Sequence, residues 1–252
     1  MDDGANGSNA AISSLPEEVD HNFITCSDNA SACQGVEMHD APYSYVHNNY
    51  IVLPSSCPDC QDSARGILFD THSSHGQAAY NDIVTWSNRA VRVRGSQYIS
   101  VHDNLFENIT KLGRFGAIHI GENYDNIDDD PMTVFNNTFQ LGPGGNGVVS
   151  AVAVGAVVYG NTVTCVSEDC AGVGFFAMTD VPSTNYVQTG TTITVKNNDV
   201  TPLSTNGLPA VKACGPGDGA AHPCASPTGS GIVFYCNTGT VVGGGTITQQ
   251  CP

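Results

Sequence analysis

With 252 residues, 24 acidic against 8 basic side chains and a net charge of −16, the chain is too acidic to bind nucleic acid or an anionic membrane surface, since both need clustered Lys and Arg. It has no run of 18 apolar residues, so no membrane span is read. With 28 Gly, 13 Pro and only 13% charged residues, the composition suits short strands joined by many turns. Residues 1–18 are polar and small, with Leu15-Pro16-Glu17-Glu18 the one hint of a helical start, and they are set apart as an N-terminal polar segment. Met1-Asp-Asp-Gly has neither a basic start nor an apolar core, so an export signal is expected to be missing from this chain or already removed.

From residue 19 to residue 252 the chain reads as one repeat domain with no linker. An Asn recurs at Asn22, Asn49, Asn81, Asn104, Asn137, Asn161, Asn198 and Asn237. Three residues before it stands Val19, Val46, Ala78, Val101, Val134, Val158, Val195 or Phe234. Two residues after it stands Ile24, Ile51, Ile83, Phe106, Phe139, Val163, Val200 or Gly239. Five copies add an apolar residue five before: Ile99, Met132, Ala156, Ile193 and Ile232. Strand alternation puts residues i−5 and i−3 on one face. The Asn then marks a corner, where its amide has donors and an acceptor for the equivalent Asn above and below and tolerates left-handed backbone. A sandwich of hairpins would not repeat one corner in one register. The Asn intervals are 27, 32, 23, 33, 24, 37 and 39 residues, so about 23 is a bare repeat and the excess forms loops.

A second strand is read in Val36-Glu-Met38, Ile67-Leu-Phe69, Val91-Arg-Val93, Ile118-His-Ile120, Val149-Ser-Ala151, Val173-Gly-Phe175 and Val211-Lys-Ala213. Stacked in register, their outward residues form a ladder Glu37, Leu68, Arg92, His119, Ser150, Gly174, Lys212, with His39, Asp70, Arg94 and Gly121 two residues on. The segments Asp180 to Thr192 and Leu203 to Gly231 are rich in Pro, Gly, Ser and Thr and read as surface loops. Gly243-Gly-Gly-Thr-Ile-Thr is one more strand with a sharp bend.

The corner pattern, over roughly residues 19 to 240, resembles the right-handed parallel β-helix repeats of the pectate-lyase-like superfamily. The resemblance implies an all-β solenoid of about seven to eight coils, each burying its apolar positions only by stacking on its neighbours. It also implies an extracellular polysaccharide laid across the outward ladder, with Arg94 neutralising a uronate and His119 taking a proton, or Asp70, Glu37 and Glu122 as the carboxyls of a hydrolase. Arg92, His39 and Tyr124 would then bind substrate. The structural alternative is ion pairing, with Arg92 and Arg94 against Asp70 and Glu122 on a solvated face. None of the catalytic motifs Trp-Ile-Asp-His, Arg-x-Pro-x-x-Arg, Gly-His-Gly or Arg-Ile-Lys occurs in this chain, so no catalytic residue carries over.

Ten cysteines fall into near neighbours: Cys26 with Cys33, Cys57 with Cys60, Cys165 with Cys170, Cys214 with Cys224, and Cys236 with Cys251. An even count in a loop-rich acidic chain favours disulfides and an extracellular or cell-surface location. A zinc site at Cys57-Pro-Asp-Cys60 with His72 and His75 is the competing reading, weakened by the lack of a second CxxC. Sequons at Asn6, Asn29, Asn108 and Asn136 agree with glycosylation. No cofactor is read, although Asp125, Asp128 and Asp130 offer oxygen ligands for calcium in what is otherwise a solvated acidic turn. Trp86, Tyr43, Tyr45 and Tyr50 can stack on sugar rings or on one another. Two functions remain: a structural or adhesive module, as a filament subunit that self-associates end to end, and a polysaccharide lyase or glycoside hydrolase.

Overall fold

A computed structural model describes residues 16–26, 33–55, 64–86, 89–111, 117–122, 131–146, 149–151, 155–165, 175–178, 193–199, 211–214, 232–237, 241–242, 246–248 and 251. Among these residues every regular element is a β-strand, and the strands form three parallel sheets. No helix among them is long and apolar enough to cross a membrane.

Sheet 1 contains the strands that lead into the corner, Glu18–Asp20, Tyr45–His47, Gln77–Ala79, Ser100–His102, Thr133–Phe135, Val157–Tyr159, Ile193–Lys196 and Ile232–Tyr235, and then Thr246–Thr248. Sheet 2 contains the strands that leave it: Phe23–Thr25, Tyr50–Val52, Asp82–Val84, Leu105–Lys111, Thr138–Asn146 and Thr162–Cys165. Sheet 3 takes Cys33–His39, Ala64–Asp70, Arg89–Arg94, Ile118–Glu122, Val149–Ala151, Phe175–Met178, Val211–Cys214 and Val241–Val242. From Glu18–Asp20 to Phe175–Met178 the chain visits the three sheets in turn and returns to the first one strand further along, an order consistent with a parallel β-helix; from Ile193–Lys196 on, the described strands alternate between sheets 1 and 3.

The corner explains why such short strands hold. Each Asn accepts at Oδ1 from the backbone N–H and the side-chain Nδ2 of the Asn in the preceding repeat, as Asn104 does from Asn81 at 2.9 and 3.0 Å. The same exchange links Asn22 to Asn49 and then runs without a gap through Asn137, Asn161 and Asn198 to Asn237. From Asn49 on, each Nδ2 also donates to the carbonyl of the inward i−3 residue one repeat back, from Val19 to Val195. The left-handed residue is the one before the Asn, where the sequence reading had placed that freedom on the Asn itself. His21, Asn48, Tyr80, Asp103, Asn136, Gly160, Asn197 and Cys236 all have φ between +52° and +64°. The preceding residue makes the bend, which leaves the Asn side chain lying along the stack and able to reach its neighbours.

Inward residues stack in columns. Val46, Ala78, Val101, Val134, Val158 and Val195 line sheet 1, and Ile51, Ile83, Phe106, Phe139 and Val163 line sheet 2, all buried. The Phe106 and Phe139 rings stack with centroids 4.9 Å apart, giving the aromatic contribution beyond simple area burial. Sheet 3 supplies Val36, Ile67, Val91 and Ile118 together with Met38, Phe69, Val93 and Ile120. Two glycines inside these strands mark close backbone approaches. A Cβ on Gly35 would lie 2.6 Å from the Gly66 carbonyl oxygen, and one on Gly66 would lie 2.6 Å from that of Ala90, so only glycine fits at either position.

Candidate functional site

The register of sheet 3 brings Glu37, Leu68, Arg92, His119 and Ser150 into one line, as the alternation implied. Two positions differ. The residue opposite Ser150 is Phe176, not Gly174. A two-residue slip keeps every side chain on its own face, so alternation alone cannot choose between the two registers. In the second line, Glu122 rather than Gly121 stands opposite Arg94, because the pairing shifts by a residue after Ile120. His39, Asp70, Arg94 and Glu122 are thus neighbours on successive strands.

This line was expected to face solvent, and over its central strands it does not. Leu68 and His119 are fully buried, Asp70 is 2% exposed and Arg92 4%. A leucine on the outward side rewards cover rather than hydration. Asp70 is held by Arg94, whose Nε donates to Oδ1 at 2.6 Å and whose Nη2 pairs with Oδ2. Thr71 adds its backbone N–H at 2.9 Å and its hydroxyl at 3.2 Å to the same Oδ1. Both Asp70 oxygens and two of the Arg94 nitrogens are thus committed to one another, as the ion-pairing alternative implies. His39 and His72 flank Asp40, with Nδ1 to carboxylate distances of 3.1 and 2.9 Å. Glu37 is half-buried at the near end of the first line.

A carboxyl pair that the sequence reading passed over lies on sheet 2. Asp82 stands opposite Leu105, so Glu107 two residues on is its diagonal neighbour on the same face, and the two side chains share a hydrogen bond. Burial first, then the charge of Glu107 and the shared hydrogen bond, push the Asp82 carboxyl up to about 6. The signal was present as acids one and three residues after the corners Asn81 and Asn104. A carboxyl raised by burial beside a second carboxyl is a pairing that acid–base chemistry uses. A direct hydrogen bond, however, is closer than the ~5 Å separation of retaining glycosidases, so the pair suits a shared proton better than a sugar between its members.

The aromatic side chains occupy one another. Tyr43 stacks on His75 at 4.9 Å and His75 on Tyr98 at 4.7 Å; Tyr45 stacks on His47 at 4.0 Å and Tyr50 on Phe23 at 5.5 Å. On the outer side of sheet 1, His102, Phe135 and Tyr159 continue in the same manner, with Lys196 over the Tyr159 and Tyr235 rings. Such columns present ring edges outward along their length, so they staple the repeats more than they offer faces to sugars.

Disulfides join Cys26 to Cys33, with Cα atoms 6.0 Å apart, and Cys236 to Cys251, with Cα atoms 5.2 Å apart. Such bonds favour an oxidising compartment. Asn136 is exposed at its corner and Asn108 is half-buried at a bulge of sheet 2, both with left-handed backbone. Asn6, Asn29, Cys57, Cys60, Cys170, Cys224, Tyr124, Asp125, Asp128 and Asp130 lie outside the described residues, as do the side chains of Glu122, Cys165 and Cys214. No family model, curated protein or solved structure matches this chain.

Proposed function

We propose that the chain is a right-handed parallel β-helix of about seven to eight coils and serves outside the cell as a structural or adhesive unit that assembles end to end. The observation that carries this reading is the one-way amide column from Asn22 to Asn237. Its first member is exposed, and its Oδ1 accepts no hydrogen bond among the described residues. Beside it, the strand Glu18–Asp20 has no strand on its outer edge among those residues, and Phe23 is 69% exposed. An open strand edge invites another chain to continue the sheet, and a head-to-tail contact that does not close produces a fibre. Disulfides at Cys26–Cys33 and Cys236–Cys251, and glycans on Asn108 and Asn136, would suit such a unit to the extracellular space.

Negative-stain microscopy of native protein at physiological salt tests the assembly. Long unbranched fibres are the expected result, and dispersed single particles at high concentration would refute it. The competing reading is a polysaccharide lyase or glycoside hydrolase acting on an extracellular glycan. Its support is the outward carboxyl pair of Asp82 and Glu107. It predicts an absorbance rise or new reducing ends from uronate polymers or neutral glycans, lost on Arg94→Ala for the sheet 3 face or on Asp82→Asn for sheet 2.

A further inference from the structure

We infer that Glu18, Asp20 and His47, on the outer side of sheet 1, form a binding site for a divalent transition-metal ion of borderline softness, Zn²⁺ above all. The inference is independent of the assembly proposed above. Pairing of the strands Glu18–Asp20 and Tyr45–His47 sets Asp20 opposite His47, and Glu18, two residues earlier, shares its face. A carboxylate oxygen from each acid and an imidazole nitrogen all lie within 4.8 Å of one another.

The imidazole is pre-oriented. Its Nε2 is 2.6 Å from Glu18 Oε1, its Nδ1 is 2.7 Å from the Asn48 side-chain amide, and its ring lies against Tyr45 with centroids 4.0 Å apart. A metal at Nε2 takes the place of the proton now shared with Glu18. The imidazole then carries its proton on Nδ1, and the Asn48 amide accepts it by turning its oxygen inward, a rotation that moves no backbone. A polar partner on the non-ligating nitrogen is the usual way a protein orients a metal-bound histidine. His21 holds the Asp20 carboxylate from the other side, with Nδ1 2.7 Å from Oδ2.

Geometry selects the ion. Tetrahedral Zn²⁺ with bonds of ~2.0 Å places its ligand atoms about 3.3 Å apart. The Glu18 oxygen, 2.6 Å from His47 Nε2, must therefore draw back by about 0.7 Å and any wider pair close by at most about 1.5 Å, which is within the reach of carboxylates on side chains 61% and 45% exposed, while His47 at 11% stays fixed as anchor. Two carboxylates neutralise the dication, the imidazole supplies the nitrogen, and water fills the fourth position. Ca²⁺ and Mg²⁺ want all-oxygen shells of six or more ligands and are disfavoured here. A bound ion would clamp the strands Glu18–Asp20 and Tyr45–His47 together.

The test is calorimetric titration of ZnCl₂ into the untagged, EDTA-stripped full chain, with Co²⁺ absorption as an independent report of tetrahedral geometry. One saturable event is expected, together with the intense visible bands of four-coordinate Co²⁺. Glu18→Gln and Asp20→Asn, both at exposed positions, should each weaken binding by about tenfold or more, and His47→Gln should remove it. His72→Gln and His75→Gln should leave it unchanged. Absence of binding overturns the assignment, as does binding indifferent to Glu18→Gln and Asp20→Asn, or binding lost equally in the His72 and His75 variants.

Discussion

Asn104→Asp is isosteric, so it leaves packing alone and removes only the two N–H donors of one ladder member. Those donors serve three acceptors, the Ala78 and His102 carbonyls at 2.9 Å and Asn137 Oδ1 at 3.0 Å. The acceptor side survives, since a carboxylate still receives the Asn81 N–H and Nδ2. Two net hydrogen bonds are worth ~1 kcal/mol each, and each buried acceptor left bare costs about 1–3 kcal/mol. The introduced charge, at a position 2% exposed, also faces the Asn137 oxygen. The expected loss is therefore about 3–5 kcal/mol, or a fall in Tm of roughly 10 °C for a chain of this size. The matched control is Asn22→Asp, the same chemistry at the exposed end of the ladder, where water replaces what is lost and the cost should stay under about 1 kcal/mol. Urea unfolding followed by far-UV circular dichroism measures both. Equal costs, or a cost at Asn104 below about 1 kcal/mol, would mean that the amide column decorates the fold without holding it.

Asp82 makes the protein sensitive to pH. Its carboxyl titrates near 6 when folded against 3.8 otherwise, so below 3.8 both states hold the proton and no penalty exists. As pH rises the unfolded chain ionises first, stability falls, and the full penalty is reached above about 6. Asp82→Asn should thus stabilise at pH 7, by about 1 kcal/mol after discounting solvent screening, and bring no gain at pH 3; a gain independent of pH would refute the shared-proton reading. Gly66→Ala forces a Cβ to within 2.6 Å of a backbone carbonyl and should lower Tm by several degrees at least, whereas an unchanged melting curve would disprove the close approach. Phe139→Ala opens a cavity beneath a stacked partner and should cost about 3–5 kcal/mol in urea unfolding.

The corner was legible because three independent positions, the Asn and its apolar neighbours at i−3 and i+2, recur together, and chance rarely repeats such a triplet. Sheet 3 was legible in its facing and not wholly in its register, since Val173-Gly-Phe175 and Phe175-Phe-Ala177 have the same alternation. The candidate site was the least legible. Alternation shows that Asp70 and His119 point away from the interior, but it cannot show that the outward side is covered there. The Asp82–Glu107 contact crosses strands on a diagonal, which only a known register reveals.

The amide column has a polarity that the sheets around it do not advertise. Each ladder asparagine from Asn22 to Asn198 hands its N–H to the next, and each from Asn49 to Asn237 keeps its oxygen turned toward the one before. Seven transfers in one sense align the side-chain dipoles along the column, making its two ends chemically unlike: the Asn22 end offers lone pairs and the Asn237 end protons. Under the end-to-end assembly proposed above, a neighbour at the Asn22 end would have to tell front from back, because a reversed copy would bring oxygen against oxygen.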